Sequence, residues 1–314
     1  MIKQFLNGLM NSKKKKFKLR YGENPNQDGY LINYPKNLIF EYQINGKKLS
    51  YNNLIDLDSG LKCLQEFDEP TSIILKHTNP CGVASAKNIE VAFIKSYESD
   101  PKSAFGGIIF LNRKINNKLA KRIFNNFYEM VVASDYDKKA LEILMKKRKL
   151  ILLKIPNIKK PKNEYKSTLF GDLYQTTDLK PINKKFINLA SKKKSSVKSV
   201  NDLIFSLKVA KHLKSNAVVL SRNKQTLGLG HGQTNRVDAL NFAIKNMNKY
   251  FKKSFFVCAS DGFFPFTDSI SILNKNGCKV VAQPSGSIND QSVVSFSIKN
   301  KISLYFTKNR LFKH

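Results

Sequence analysis

Apolar positions along the chain alternate between two spacings. Short β-branched or aliphatic runs bounded by turn formers predict buried strands, and windows with apolar residues three and four apart predict amphipathic helices. "KLSYNNLIDLDSGLKCLQEF" (48–67) has the helical spacing and stops at Asp68-Glu69-Pro70. "TSIILKH" (71–77) predicts a strand, "KNIEVAFIKSYESD" a helix, and "SAFGGIIFLN" a strand opened by two glycines. "NKLAKRIFNNF", "MVVAS", "KKALEILMKKRK" and "LILLKI" continue as helix, strand, helix, strand. After residue 198 the rhythm resumes. "VNDLIFSLKVAKHLKS", "NRVDALNFAIKNMNKYF", "DSISILNKNG" and "NDQSVVSFSIKN" predict helices. "NAVVLSR", "QTLGLGHG", "SFFVCAS", "KVVAQPSG" and "ISLYFT" predict strands.

Alternation of this kind predicts an α/β layered fold. It divides the chain into an N-terminal helix with a lysine tract (1–18), a first α/β lobe (19–156), a connecting segment (157–198) and a second α/β lobe (199–314). The connecting segment is rich in Lys, Pro, Asn and Ser, with weak strand signals only near Leu169–Tyr174. The two lobes share a rhythm but no repeat in their residues.

Composition adds one anomaly. Across 314 residues the formal charge is +32, which raises nucleic acid as a partner. The excess, however, is 48 lysines against seven arginines. The basic clusters are scattered and carry no interleaved aromatics, as a solvated surface would. No specific nucleic acid is expected, and a lysine-rich nucleic-acid-associated protein is the alternative function. Four separated cysteines without a CxxC suit reduced thiols. No apolar run is long enough for a membrane span, and the start lacks signal-peptide architecture. A cytoplasmic protein is expected, with no membrane partner.

The candidate chemistry lies in a few stretches. "ILKHTNPCGVA" (74–84) places Lys76 and His77 at a strand end, with a turn expected at "TNPCG". An ammonium beside an imidazole favours the neutral ring and can also steady a developing oxyanion; a solvent-exposed strand end is the plainer alternative. Pro80–Cys81 matches half of a zinc-deaminase signature, but Ser85 falls near the second thiolate position and no H-x-E occurs, so no metal is expected. "LRYGENPNQ" (19–27) presents Arg20 on a bent loop, and guanidinium suits phosphate. "LGLGHGQTNR" (227–236) is either a weak phosphate cradle or a tight strand-to-helix turn, with Arg236 in the first turn of a helix. "ASDGFFPFTDS" (259–269) combines aromatics, proline and carboxylates, which suits a flat heterocycle or simple packing. "FTKNRLFKH" ends the chain and by default would fray.

Together with "SDPKSAFGGIIFLNR", "KSNAVVLSRNKQ" and "QPSGSIND", these stretches occur in the order and approximate spacing of AICAR transformylase, which the chain resembles from about Leu19 to His314. The resemblance implies formyl transfer from 10-formyltetrahydrofolate to the 5-amino group of AICAR (aminoimidazole carboxamide ribonucleotide) in purine (IMP) biosynthesis. By resemblance His77 is the base or proton shuttle, Lys76 steadies the oxyanion, and Asn216 aligns the reacting groups. Arg20, Tyr21 and Arg310 form the phosphate clamp, with the tail tied down. Asn53, Phe105, Gly106 and Glu129 lie around ribose and base, and Arg236 and Phe263 contact the nucleotide. Asp268 and Ser287 line the folate side.

The resemblance further implies two cytidine-deaminase-like α/β lobes without zinc and a homodimer with shared active sites. The family's IMP cyclohydrolase domain has no counterpart in this sequence, so that activity is expected absent and a separate cyclohydrolase is an expected partner. Asn26 replaces a frequent family histidine. Potassium is compatible with the resemblance, although Ala217 stands where some members carry a serine associated with the ion.

Overall fold

The computed structural model describes residues 16–32, 39–156, 160–252 and 254–314. The helix expected over 1–18 lies almost wholly outside these residues. Its last three, Lys16–Lys18, form strand β1, paired antiparallel with β2 (Tyr30–Ile32).

The chain then runs twice through one plan. The first pass is β3 (Gln43–Asn45), α1 (Tyr51–Leu64), the hairpin β4 (Thr71–Lys76) and β5 (Asn79–Ser85), and α2 (Ile89–Ser99). It continues with the short α3 (Pro101–Ala104), β6 (Ile108–Leu111), α4 (Asn117–Phe124), β7 (Met130–Ala133), α5 (Lys138–Leu144) and β8 (Ile151–Lys154). A separate hairpin follows, β9 (Asn163–Thr168) and β10 (Gly171–Thr176). The second pass is β11 (Ile187–Leu189), α6 (Val197–Ala210), the hairpin β12 (Val218–Arg222) and β13 (Gln225–Gly230), and α7 (Arg236–Tyr250). It ends with β14 (Phe256–Ser260), α8 (Thr267–Lys275), β15 (Cys278–Pro284), α9 (Asp290–Lys299) and β16 (Ser303–Thr307).

Both passes contribute to one mixed, twelve-stranded sheet, ordered β11-β16-β15-β14-β12-β13-β5-β4-β6-β7-β8-β3. Each half has the same sequence of pairings: a hairpin, then three parallel strands, then an antiparallel edge strand. The two hairpins meet at the centre, where Gln225 opposes Ala84. Helices cover both faces, so the strands are buried runs rather than alternating ones. Ile73 and Leu75 pack under α1 and α6 with Phe110 and Phe205, while Ile74 points to the opposite core with Phe93 and Leu119.

The repeat extends to single residues. Asp56 and Asp202 are each the sixth residue of a fourteen-residue helix. Asp202 accepts the Asn223 and Lys224 amides at the β12–β13 turn, at 2.9 and 2.8 Å. Asp56 accepts the Thr78 amide at the β4–β5 turn, at 2.6 Å. A Cβ on Gly82 would strike Ser96 O, and one on Gly228 would strike Ala243 O; each carbonyl belongs to the eighth residue of the helix that follows.

Two expectations need correction. "TNPCG" is not the turn. The turn is His77–Thr78, while Pro80, Cys81 and Gly82 lie within β5. Proline fits there because the β4–β5 register shifts between Ile74 and Leu75, a bulge that relaxes the demand for a ladder donor. Of the two readings of "LGLGHG", the tight strand-to-helix turn holds: Gly228 and Gly230 let α7 lie against β13, since a side chain at either would run into a main-chain carbonyl of that helix. The segment read as connecting holds the β9–β10 hairpin, and its Ile187–Leu189 stretch completes the edge of the main sheet.

Candidate functional site

The Lys76–His77 pair sits at the tip of the β4–β5 hairpin. His77 and Thr78 both have left-handed backbones, with φ of 52° and 64°. Two consecutive non-glycine residues there are strained by about 1–3 kcal/mol each unless held. They are held. Asp56 accepts the Thr78 amide, and Ser59 Oγ donates to Thr78 O at 2.7 Å. Asn79 Nδ2 donates to His77 O at 3.0 Å, and Asn79 Oδ1 accepts the Lys214 amide from the second lobe at 3.0 Å. Burial raises the Asp56 carboxyl above its ordinary range, opposed by the Thr78 amide and by His77 and reinforced by Glu129. The turn is therefore fixed in place with its imidazole carried at the tip.

Lys76 Nζ donates to Phe105 O at 3.0 Å, leaving two further N–H donors. Gly106 has φ of +72°, and a Cβ there would sit 4.0 Å from that ammonium. Glycine thus serves the backbone bend, while the space beside Lys76 would admit a methyl at ordinary contact. Phe105 is 63% exposed and tilts against Phe127 at 5.3 Å, making an apolar shelf next to the ammonium.

Arg20, Tyr21, Asn53 and Glu129 form one cluster. Arg20 Nη2 donates to Tyr21 Oη at 2.9 Å and lies 3.9 Å from Glu129; Asn53 Nδ2 donates to Glu129 Oε1 at 3.1 Å. Lys47 adds a second ammonium 3.7 Å from that carboxylate. The loop is pinned by Arg20 N–H to Leu49 O and Tyr51 N–H to Tyr21 O. Among the described residues Arg20 Nε is buried without a hydrogen-bond partner.

Asn216 and Arg236 belong to a second cluster, joined to the C-terminus. Arg236 is 9% exposed, and its guanidinium pairs with the fully buried Asp261, Ser260 Oγ at 2.9 Å and Asn216 Oδ1 at 2.8 Å. The expected free anion contact at the start of α7 is thus occupied by protein groups. Asn216 Nδ2 donates to Gln233 O and Thr234 O, which fixes its amide. The tail is not frayed. Leu311 N–H donates to Asp261 O at 2.9 Å, and Ser215 and Lys313 exchange hydrogen bonds in both directions. Lys313 Nζ donates to Ser59 Oγ at 3.0 Å, one residue's hydrogen bond away from the His77 turn. Arg310 is exposed and stacks on Phe312 at 5.0 Å; among the described residues no ion pair joins it to the Arg20 cluster.

A third group lies beyond β14 and β15. Asp268 is exposed at the start of α8 and caps Ser269 N–H at 2.6 Å. Ser287 Oγ accepts the Asn289 amide, and Asn289 Nδ2 donates to Pro265 O at 2.9 Å, which draws the two loops together. Phe263 is half-buried between them, and Phe266 and Ile288 face outward. Among the described residues no hydrogen bond links this group to the Lys76–His77 tip.

Sequence reasoning missed Asp56, Ser59, Ser215, Asp261 as an ion-pair partner, and Lys313. Asn53, Asp56 and Ser59 recur every third residue on α1, a polar stripe that was legible. Lys313 offered no signal. Among the described residues no group of three or more His, Cys, Asp or Glu side chains could hold a metal. Ala217 is buried, offers no side-chain oxygen to a potassium ion, and its carbonyl already accepts the Asp261 amide. Also among the described residues, no helix is long and apolar enough to cross a membrane.

Comparison with known proteins gives consistent matches. The family model described as "AICARFT/IMPCHase bienzyme" matches residues 2–246. A protein of Caldicellulosiruptor bescii named "Bifunctional purine biosynthesis protein PurH" is 43% identical over 304 residues, covering 94% of this chain and 59% of the relative. Proteins of the same name from Fusobacterium nucleatum and Buchnera aphidicola are 41% and 43% identical, each over 96% of this chain and 60% and 59% of their own lengths. The chain thus spans about three-fifths of these curated relatives.

Proposed function

Since the chain belongs to the AICARFT/IMPCHase bienzyme family of purine biosynthesis, we propose that it transfers a formyl group from 10-formyltetrahydrofolate to the 5-amino group of AICAR. The observation that carries this is the build of the hairpin tip: a lysine and a histidine set side by side at a strained turn that first-lobe side chains and a main-chain amide of the second lobe immobilise.

The chemical difficulty is a weak nucleophile. The AICAR amine is conjugated with its ring, so it must lose a proton as it attacks. In the proposed step the amine nitrogen bonds to the formyl carbon, and His77 takes the amine proton. The formyl oxygen gathers charge beside Lys76, whose two unused N–H donors point to that role. The bond from that carbon to N10 of the folate then breaks, and His77 returns the proton to N10. Positioning supplies much of the rate, and the anchoring of Thr78 and Asn79 serves it.

Arg20 and Tyr21, with the unpartnered Arg20 Nε, suit the ribotide phosphate. Arg310 completes this clamp in our proposal. Asn53 and Glu129 suit ribose hydroxyls, and the Phe105 shelf beside Gly106 suits the base. Arg236 acts through Asn216, whose amide it orients. The loops carrying Phe263, Asp268 and Ser287 offer the exposed apolar and carboxylate groups a pterin needs. No step is assigned to potassium.

Two further proposals accompany this. Each lobe takes a cytidine-deaminase-like plan without zinc, in keeping with the doubled order of elements. The active molecule is a homodimer with shared sites. The β9–β10 hairpin supports that, because Leu169 and Phe170 are 99% and 100% exposed on a ribbon outside the main sheet. A dimer also gives the separate Asp268 and Arg310 groups a route to the Lys76–His77 tip of a partner.

The test is a spectrophotometric assay of folate turnover with the purified chain, AICAR and 10-formyltetrahydrofolate, with product analysis. Turnover dependent on both substrates is expected, with the formamido ribotide as the product of formyl transfer. Binding of both substrates without formyl transfer contradicts the proposal.

A further inference from the structure

A cavity of about 800 Å³ opens at the opposite end of the first lobe from the His77 tip. It lies at the carboxyl ends of the parallel strands β6, β7 and β8, lined there by Asn112, Ser134 and Pro156, and α1 closes one side with Leu61 and Leu64. The Lys76 tip and the Phe105–Gly106 bend sit instead at the amino ends of those strands. Ligands of α/β sheets gather at carboxyl ends. In the second pass through the plan, the corresponding ends of β14 and β15 carry the Asp261–Asp268 and Ser287 loops, to which a ligand is already assigned above. The first pass has an open cavity at this place.

The lining has two parts. Its floor is apolar, made by Leu64, Phe67, Val132, Ile155 and Ile182. Its walls carry five cations: Arg113, Lys160, Lys162, Lys180 and Lys208. Two carboxylates are present, Glu66 and Asp68. Glu66 is already matched by Lys160 at 2.5 Å and by Lys211 behind it at 3.6 Å. Among the described residues Arg113 and Lys208 donate only to main-chain carbonyls, those of Asn112 and Asp68 and that of Glu66 respectively. The Lys162 and Lys180 side chains have no hydrogen bond or ion pair among the described residues. These cations and the apolar floor line one cavity.

We propose that this cavity binds an organic dianion of nucleotide size, a phosphate monoester or a dicarboxylate, with its flat apolar body on the floor and its charge between Lys162 and Lys180. The volume falls within the range of small-molecule sites. The site is separate from the proposed formyl-transfer residues and does not depend on their assignment.

Isothermal titration of the purified chain with AMP and, separately, with phthalate distinguishes the phosphate from the dicarboxylate source. At least one should bind, and the Lys162→Ala/Lys180→Ala double variant should weaken that binding about tenfold or more, since each tenfold needs only modest pair energies. A Lys193→Ala control, at an exposed lysine outside the cavity, should leave it unchanged. Both lysines are exposed and unpaired, so the double variant should melt with the wild type. Failure of both probes to bind at millimolar concentration overturns the proposal. So does binding that the double variant leaves unchanged, or that the Lys193→Ala control loses equally.

Discussion

Replacing Asp261 with Asn keeps the shape of a buried site and removes its negative charge. Asp261 is fully buried, and its partner Arg236 retains 9% exposure. The guanidinium would keep its contacts to Ser260 and Asn216 but lose the charge that matches it. Breaking a buried pair from one side costs about 3–5 kcal/mol, because a charge is left desolvated and unmatched. For 314 residues, an unfolding entropy of about 2.1 cal/mol/K per residue gives roughly 0.66 kcal/mol/K. The melting midpoint should therefore fall by about 5–8 °C in a cooperative transition followed by calorimetry. Adding Arg236→Met should restore part of the loss, with a coupling of about 0.5–3 kcal/mol. A fall below about 1 °C, or strictly additive losses, would refute the view that this pair is an isolated buried charge couple.

Three further outcomes are expected. Burial pushes His212 down from 6.5 to about 4, despite its hydrogen bond to Glu66; burial would raise Glu66, but His212, Lys160 and Lys211 outweigh it and hold it near 2. In both cases the unfolded chain binds more protons across the window, so stability should fall as pH drops from 6.5 toward 2, and His212→Gln should flatten the upper part of a urea-midpoint profile. Gly230→Ala should destabilise the chain by about 1–3 kcal/mol or prevent folding, because the added methyl meets Ala239 O, whereas Gly232→Ala, which meets open space, should strain only its own backbone in parallel melts. Burial raises the thiols of Cys63, Cys81 and Cys278 to about 12 and that of Cys258 well above its ordinary value, so a thiol-exchange reagent at pH 8 should label the folded chain slowly and the unfolded chain at all four cysteines.

Much of the fold was legible because buried strands such as "TSIILKH" and "SFFVCAS" are continuous apolar runs, and each helix has a periodic face. What escaped had physical reasons. β5 starts at Asn79-Pro80 and contains Gly82, residues that locally mark a turn; only the bulge opposite Ile74–Leu75 lets them lie in a strand. The β9–β10 hairpin is exposed on both faces, so no apolar alternation marks it. The duplication was hidden because it survives in geometry rather than in residue identity: Asp56 and Asp202 perform one task from the same helical position, yet the turns they hold read His-Thr and Asn-Lys.

The site was legible as separate clusters. Lys76 with Phe105 and Gly106, Arg20 with Asn53 and Glu129, and Asn216 with Arg236 are brought together in space. The supports were harder to foresee. Lys313 reaches Ser59, and Lys214 reaches Asn79, only through the tertiary fold, and no local spacing encodes either contact.

The central claim is that the His77 imidazole moves the proton of the attacking amine. The measurement that tests it most directly is single-turnover formyl transfer by wild type and His77→Ala, at saturating AICAR and 10-formyltetrahydrofolate, with AICAR affinity measured alongside. The expected result is a rate about 100- to 10,000-fold lower in the variant with AICAR binding retained. Equal rates in the two proteins would contradict it.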